Sequence, residues 1–157
     1  MKLSIITISY NSENSISETF HSLKTQSIDN YEYLLIDGGS KDETLTIASK
    51  QDHISKIVSE PDKGIYDALN KGIKNSTGEI IGFLNSDDTF YYENSSKYIA
   101  DAFDENTDCI FGDLIYTDIN ENIKRIWKGL AFKKGTFKKA GCLHIPHFTA
   151  EKVFMKN

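Results

Sequence analysis

The sequence predicts an α/β domain built on a mixed, mainly parallel sheet flanked by helices. Leu3–Ile8 and Ile80–Leu84 are almost unbroken apolar runs, as strands covered on both faces require. Strand-like runs alternate with stretches whose apolar residues recur every three or four positions. The strand candidates end in polar, acidic loops, and open α/β sheets bind ligands beyond the carboxyl ends of their strands.

Composition sets the class. The chain has 157 residues, 26% charged and 39% hydrophobic, which fits one folded domain over residues 1–157 rather than disorder. A formal net charge of −5 argues against nucleic acid as a partner. Cys109 and Cys142 are far apart and form no metal or redox motif, so buried free thiols in a reducing cytosol are expected. No apolar run reaches membrane-span length, and Met1-Lys2 leads into a strand rather than a signal peptide.

In chain order, Leu3–Ile8 is the first and central strand, ended by Ser9, Tyr10 and Asn11. Asn14 or Ser15 can cap the following helix, which buries Ile16, Phe20 and Leu23. Tyr31–Ile36 is the second strand. Asp37 stands at its carboxyl end, where a carboxylate can accept a ribose hydroxyl or a uracil N–H; Gly38 and Gly39 leave room for a ligand to approach. Ser40 and Glu43 fit a capping box, and Asp42 reads as a first-turn helix acid. Ile47–Ala48 belong to that helix, and Ile54–Ser59 to a third strand ending at Glu60-Pro61-Asp62.

Pro61-Asp62 marks a turn, and Gly64 suits close backbone approach or a positive φ. Ile65, Leu69 and Ile73 give the next helix an apolar face, and Asn75–Gly78 stops it, with Gly78 free to turn left-handed. The strand Ile80–Leu84 then runs into Asn85-Ser86-Asp87-Asp88. The adjacent carboxylates suit a solvated turn or a Mg²⁺ or Mn²⁺ site beside a diphosphate. Three acidic strand ends on one sheet edge favour a ligand site. Beyond lie a helix near Glu93–Asp104 with Ile99, Ala102 and Phe103 inward, a strand at Cys109–Phe111, and a hairpin of Leu114–Asp118 with Ile123–Trp127. Lys133, Lys134, Lys138 and Lys139 suit a solvated loop, or contact with an anionic lipid carrier or membrane surface.

The runs GIYDALNKGI and TGEIIGFLNSDD resemble the family 2 glycosyltransferases of GT-A fold, in particular bacterial enzymes of surface-polysaccharide biosynthesis. The resemblance extends from Leu3 to the end of the chain. It implies transfer of a sugar, with inversion and metal assistance, from a nucleotide-diphosphate sugar, UDP-sugar first, to a saccharide or lipid-linked acceptor. It implies nucleotide-sugar contacts from Ser9, Tyr10, Asn11, Asp37, Asp62, Asn70, Lys71 and Asp87. Asp87 and Asp88 would hold Mg²⁺ or Mn²⁺, with His147 of the Pro-His motif near the diphosphate or metal. Asn85 stands where many relatives place the first acid of a D-x-D motif. An acidic segment beyond the Pro-His motif supplies the base in the family, and no residue here matches it. The catalytic residue is therefore unassigned, and the domain is expected to lack the family's C-terminal part. A nucleotide-sugar-binding fragment without turnover is the alternative. The expected location is the cytoplasm, with peripheral contact at the inner face of the membrane. The Rossmann G-x-G-x-x-G and P-loop motifs are absent.

Overall fold

The structure, a computed structural model, describes residues 1–107, 109–118, 120, 122–128 and 153–156. Two compact units are present, Met1–Ile110 with Lys152–Asn157, and Phe111–Glu151.

The first unit is built on a sheet of strand order β3-β2-β1-β4-β8-β5. Its strands are β1 (Leu3–Ser9), β2 (Tyr31–Asp37), β3 (Lys56–Ser59), β4 (Ile80–Phe83), β5 (Cys109–Phe111) and β8 (Val153–Lys156). β3, β2, β1 and β4 run parallel, so their carboxyl ends share one edge. β8 pairs antiparallel with β4 and makes the sheet mixed. Helices α1 (Ile16–Lys24), α2 (Thr44–Ala48), α3 (Ile65–Asn75) and α4 (Ser95–Ala102) connect these strands. In the second unit, β6 (Leu114–Thr117) and β7 (Ile123–Trp127) form the expected antiparallel hairpin.

The continuous apolar runs reflect two packed faces. Leu3, Ile5, Tyr33, Leu35 and Ile80 meet Ile16, Phe20 and Leu23 of α1, Ala48 of α2, and Phe90 and Phe103. Ile6, Leu34, Ile36 and Ile81 meet Ala68 of α3 on the other face. The α1 face is the predicted one, whereas the α3 face differs. Ile73 packs against this cluster as expected, but Ile65 is 53% exposed, and the residues α3 buries fully are Ala68 and Gly72. A Cβ at Gly72 would lie 2.5 Å from Ile6 Cγ2, so α3 approaches the sheet too closely for large side chains.

Other expectations also change. Gly78 does not have a positive φ; its missing Cβ makes room for β1, because a Cβ there would lie 2.7 Å from Ser4 N and 2.8 Å from Lys2 O. Extended Ser76 ends the helix. Ala102 is exposed because α4 stops there, and Phe103 turns inward. Cys109 is exposed rather than buried. Cys142, the lysine patch 133–139, His144 and His147 lie outside the described residues. Among the described residues, no helix is long and apolar enough to cross a membrane.

At the amino ends of the central strands, Glu32 gathers four donors. Ser4 Oγ (2.5 Å) and Thr77 N–H (2.5 Å) reach Oε1, while Lys2 Nζ (2.9 Å) and Thr77 Oγ1 (2.8 Å) reach Oε2. Burial pushes the carboxyl up, but these hydrogen bonds outweigh it and hold the pKa at about 2. A folded-state value below the ordinary 4.5 stabilises the fold above about pH 4.5, and that stability is lost as pH falls toward 2. Thermal melts of Glu32→Gln should therefore fall less steeply than wild type across this window. Gly78→Ala meets backbone rather than a yielding side chain, and should cost about 1–3 kcal/mol, seen as a lower urea midpoint.

Candidate functional site

The site is a rim formed by the carboxyl ends of β3, β2, β1 and β4. Strand order runs outward in both directions from β1 and β4, and ligand crevices of open α/β sheets open at such a reversal.

At its centre is Asp37, fully buried. Oδ1 accepts hydrogen bonds from Ser9 Oγ (3.0 Å) and Ser40 Oγ (2.5 Å). Oδ2 accepts from Gly39 N–H (3.0 Å), Ser40 N–H (2.9 Å) and Ser59 Oγ (2.8 Å). Burial would raise the Asp37 carboxyl, but these donors, the Ser40 hydroxyl foremost, hold it below the ordinary carboxylate value. Ser9, Asp37 and Ser59 are register partners across β1, β2 and β3. One carboxylate thus binds three neighbouring strand ends.

The capping box at Ser40 and Glu43 does not form. Ser40 Oγ is spent on Asp37 and on accepting Asn11 N–H (2.8 Å), since a buried carboxylate needs donors more than a helix end does. Asp42 precedes α2 and takes its place: Oδ1 accepts Thr44 N–H (3.0 Å) and Oδ2 accepts Glu13 N–H (3.1 Å). Asn11, at φ 50°, accepts Lys41 N–H (2.9 Å) on its side-chain oxygen and latches the β1 loop to the β2 loop.

Tyr10, Gly38 and Asp62 come together above this clamp. A Cβ at Gly38 would lie 2.5 Å from Asp62 Oδ2 and 3.4 Å from Tyr10 Cδ2, so the protein's own side chains fill the space expected for a ligand. Asp62 Oδ1 accepts Gly64 N–H (2.8 Å), and Gly64 takes φ 111°. The Tyr10 ring is 63% exposed beside this carboxylate. Lys71 is tied to its own loop, with Nζ 3.1 Å from Glu60 Oε1, 3.5 Å from Asp67 Oδ2 and 2.9 Å from Pro61 O. Desolvation opposes its charge, but Glu60 and Asp67 outweigh that and hold the amine above its ordinary value. Asn70 is exposed on α3.

The turn at Asn85–Asp88 follows β4. Ser12 Oγ meets Ser86 Oγ at 2.9 Å, joining it to the β1 loop across the order reversal. A polar stripe along α1 grips this segment. Ser15 Oγ donates to Ser86 O (2.9 Å), Thr19 Oγ1 to Asn85 O (3.5 Å) and Gln26 Nε2 to Tyr92 O (3.0 Å), while Ser22 Oγ accepts Phe90 N–H (3.3 Å). Ser15 precedes α1, but its hydroxyl does not cap the helix. Asp87 is exposed and Asp88 partly buried. Among the described residues no group of three or more His, Cys, Asp or Glu side chains converges on a point. Two carboxylates still fit Mg²⁺ or Mn²⁺, which take one or two from protein and the remaining oxygens from substrate phosphate and water.

The sequence matches the family described as "Glycosyl transferase family 2" over residues 4–152. The chain belongs to this family. It is 39% identical over 127 residues to an uncharacterized glycosyltransferase of Rickettsia conorii, covering 80% of this chain and 21% of that protein. It is 34% identical to a PGL/p-HBAD biosynthesis glycosyltransferase of Mycobacterium tuberculosis over 63% of this chain and 41% of that protein. The chain therefore spans less than half the length of these relatives. Among solved structures, S. aureus TarS 1–349 in complex with UDP-GlcNAc matches with TM-score 0.59 and 30% identity, over 64% of this chain and 30% of that one. A Pyrobaculum calidifontis mannosyltransferase in complex with GDP-Man and Mn²⁺ shares the fold, with TM-score 0.60 and 22% identity over 69% of this chain and 34% of that one. The expected GT-A fold is the observed one.

Asp37→Ala would strand the donors around a buried site, and should cost roughly 2–4 kcal/mol in urea denaturation. The folded-state carboxyl lies below its ordinary value, so its contribution is present above the unfolded-state pKa and is lost as pH falls through the folded one. The stability gap between wild type and Asp37→Ala should accordingly narrow in acid.

Proposed function

We propose that this chain is the donor-binding part of an inverting glycosyltransferase that takes sugar from a nucleotide-diphosphate sugar, UDP-sugar first. The observation that carries the reading is the pinned rim: Tyr10 and Asp62 flank one side, and Asp87-Asp88 follow β4 beside the order reversal. The likeness to TarS, solved with UDP-GlcNAc, supports uridine as the first nucleotide to test.

Tyr10 offers an exposed ring for a base to stack on, and Asp62 Oδ2 an acceptor for a base N–H or ribose hydroxyl. Asp37 acts one step back, positioning Gly38 and the β1 loop through its five hydrogen bonds. Ser9 and Asn11 likewise shape the rim, and Asn70 and Lys71 border it from α3. Asp87 and Asp88 are the residues that would hold Mg²⁺ or Mn²⁺, with His147 a further candidate. Such an ion, when bound, neutralises charge developing on the leaving diphosphate.

In the reaction an acceptor hydroxyl oxygen attacks the anomeric carbon from the face opposite the diphosphate. The new C–O bond forms as the bond to the diphosphate oxygen breaks, its electron pair leaving with the diphosphate. The hydroxyl proton passes to a general base, to which no residue of this chain is assigned. A saccharide or lipid-linked acceptor, use in surface-polysaccharide biosynthesis, and work at the inner face of the membrane complete the proposal.

Calorimetric titration with UDP, with and without Mn²⁺, tests it on wild type and on Asp87→Ala/Asp88→Ala. Metal-dependent binding should appear in wild type and be lost in the double variant. Binding of GDP or dTDP in place of UDP would revise the nucleotide. No binding of any nucleotide to the folded chain would refute the donor-site reading.

A further inference from the structure

Residues 60–64 carry Asp62 from the end of β3 to its place beside Gly38, and they are tied down on both sides. On the sheet side, Glu60 N–H donates to Asp37 O (3.0 Å). On the helix side, two charged residues one turn apart on α3 do the holding. Lys71 Nζ lies 3.1 Å from Glu60 Oε1 and donates to Pro61 O (2.9 Å), so it grips the arm that enters the turn. Asp67 Oδ2 accepts Lys63 N–H (3.1 Å) and grips the arm that leaves it. The two struts are themselves paired, with Lys71 Nζ 3.5 Å from Asp67 Oδ2. The Lys63 N–H, aided by the Lys71 charge, outweighs desolvation and holds the Asp67 carboxyl below its ordinary value, so that strut stays ionised.

Struts position a turn only if their base is fixed, and α3 is seated hard against the sheet. Gly72 follows Lys71, and a Cβ at Gly72 would lie 2.5 Å from Ile6 Cγ2 and 3.4 Å from Ile36 Cγ1. Asn75 Nδ2 donates to Lys71 O (2.8 Å) one turn further on. The Lys71 side chain is only 18% exposed, unusually covered for a lysine on an outer helix. Asp62 sits between the two gripped arms. Its Oδ1 accepts Gly64 N–H (2.8 Å), and its Oδ2 is left toward Gly38.

We propose that Lys71 is a positioning residue for the nucleoside of the donor: it serves the site through Asp62 and does not touch the diphosphate. The inference rests on the donor-site reading above. An isolated surface ion pair contributes little. Here the pair closes a binding turn, and ordering such a turn before the ligand arrives removes part of the entropy cost of binding. Lys71 also offsets the repulsion between Glu60 and Asp67, which the turn brings to one ammonium. To reach a diphosphate, that ammonium would have to give up all of its acceptors and release the arm that leads to Asp62. Direct contact and positioning therefore exclude each other.

Titrations of UDP and of uridine into wild type, Lys71→Met and Asp67→Ala test the proposal, with urea midpoints checking that each variant is folded. The Kd of both ligands should rise by the same factor, about fivefold or more, in each variant. In an Asp62→Ala background, Lys71→Met should change either Kd by less than about twofold, because the residue it positions is gone. A ligand-free measurement runs alongside: the Lys63 and Gly64 amides should exchange with solvent about tenfold or more faster in Lys71→Met. Weakened UDP with unchanged uridine would overturn the proposal and make Lys71 a diphosphate contact. An equal loss in the Asp62→Ala background, or unchanged amide exchange in Lys71→Met, would also overturn it and leave the donor site standing. A wild-type chain that binds neither ligand would overturn the donor reading and this inference with it.

Discussion

A carboxylate taken out of water must find donors for its oxygens or become protonated, and Asp37 finds them at three strand ends at once. Ser9 closes β1, Asp37 closes β2 and Ser59 closes β3, and the parallel register puts them in one row. The two loop N–H groups and Ser40 complete the shell. Loops after parallel strands are usually the freest parts of an α/β fold. Here their first residues are fixed to a common charge before they leave the sheet. Tyr10 follows Ser9 by one residue, Gly38 follows Asp37, and Asp62 follows Ser59 by three, so the convergence at Gly38 rests on that charge.

β2 carries a second polar clamp. Glu32, five residues earlier, gathers Lys2, Ser4 and Thr77 at the amino ends of the central strands, as Asp37 gathers serines at the carboxyl ends. Tyr33, Leu34, Leu35 and Ile36 lie between, all buried. A purely apolar strand could slide against its neighbours with modest loss of burial, whereas a strand with a charge-assisted clamp at each end has one register. Gly78 belongs to the same device: its N–H donates to Ser4 Oγ (2.8 Å), the hydroxyl that reaches Glu32.

Periodicity in the sequence revealed the strands and the α1 face because Ile, Leu and Phe mark both unambiguously. On α3 it found Ile73 but missed the centre of the face, because closeness to the sheet selects Ala68 and Gly72, which carry little hydrophobic signal. Ser40 and Glu43 have the spacing of a helix cap, and nothing local shows that Asp37 outbids the helix for that hydroxyl. Ser9 and Ser59 look like ordinary strand-end serines; only the register makes them ligands of one carboxylate. The antiparallel β8 strand lies some seventy residues beyond its partner β4, and a four-residue V-F-M-K run is too short to announce such a pairing. Acidic strand ends marked one edge of the sheet, and the parallel strands do share that edge, while the partners each acid takes depended on three-dimensional neighbours.

Helix α1 shows how one element can serve core and rim together. Its apolar positions 16, 20 and 23 turn to the core, and one step behind each lies a polar residue, at 15, 19 and 22, with Gln26 continuing the series. The polar stripe has the helical period too, and it runs beneath the segment from Asn85 to Ser96. Burial of the apolar stripe fixes the rotation of the helix, and that rotation delivers the polar stripe to the loop. The Asp87-Asp88 turn and the segment after it are thereby referred to the same core as the Asp37 clamp. The two carboxylates and the loop that carries them then stand on one frame with the Asp37 clamp, as a preorganised binding site requires of its scaffold.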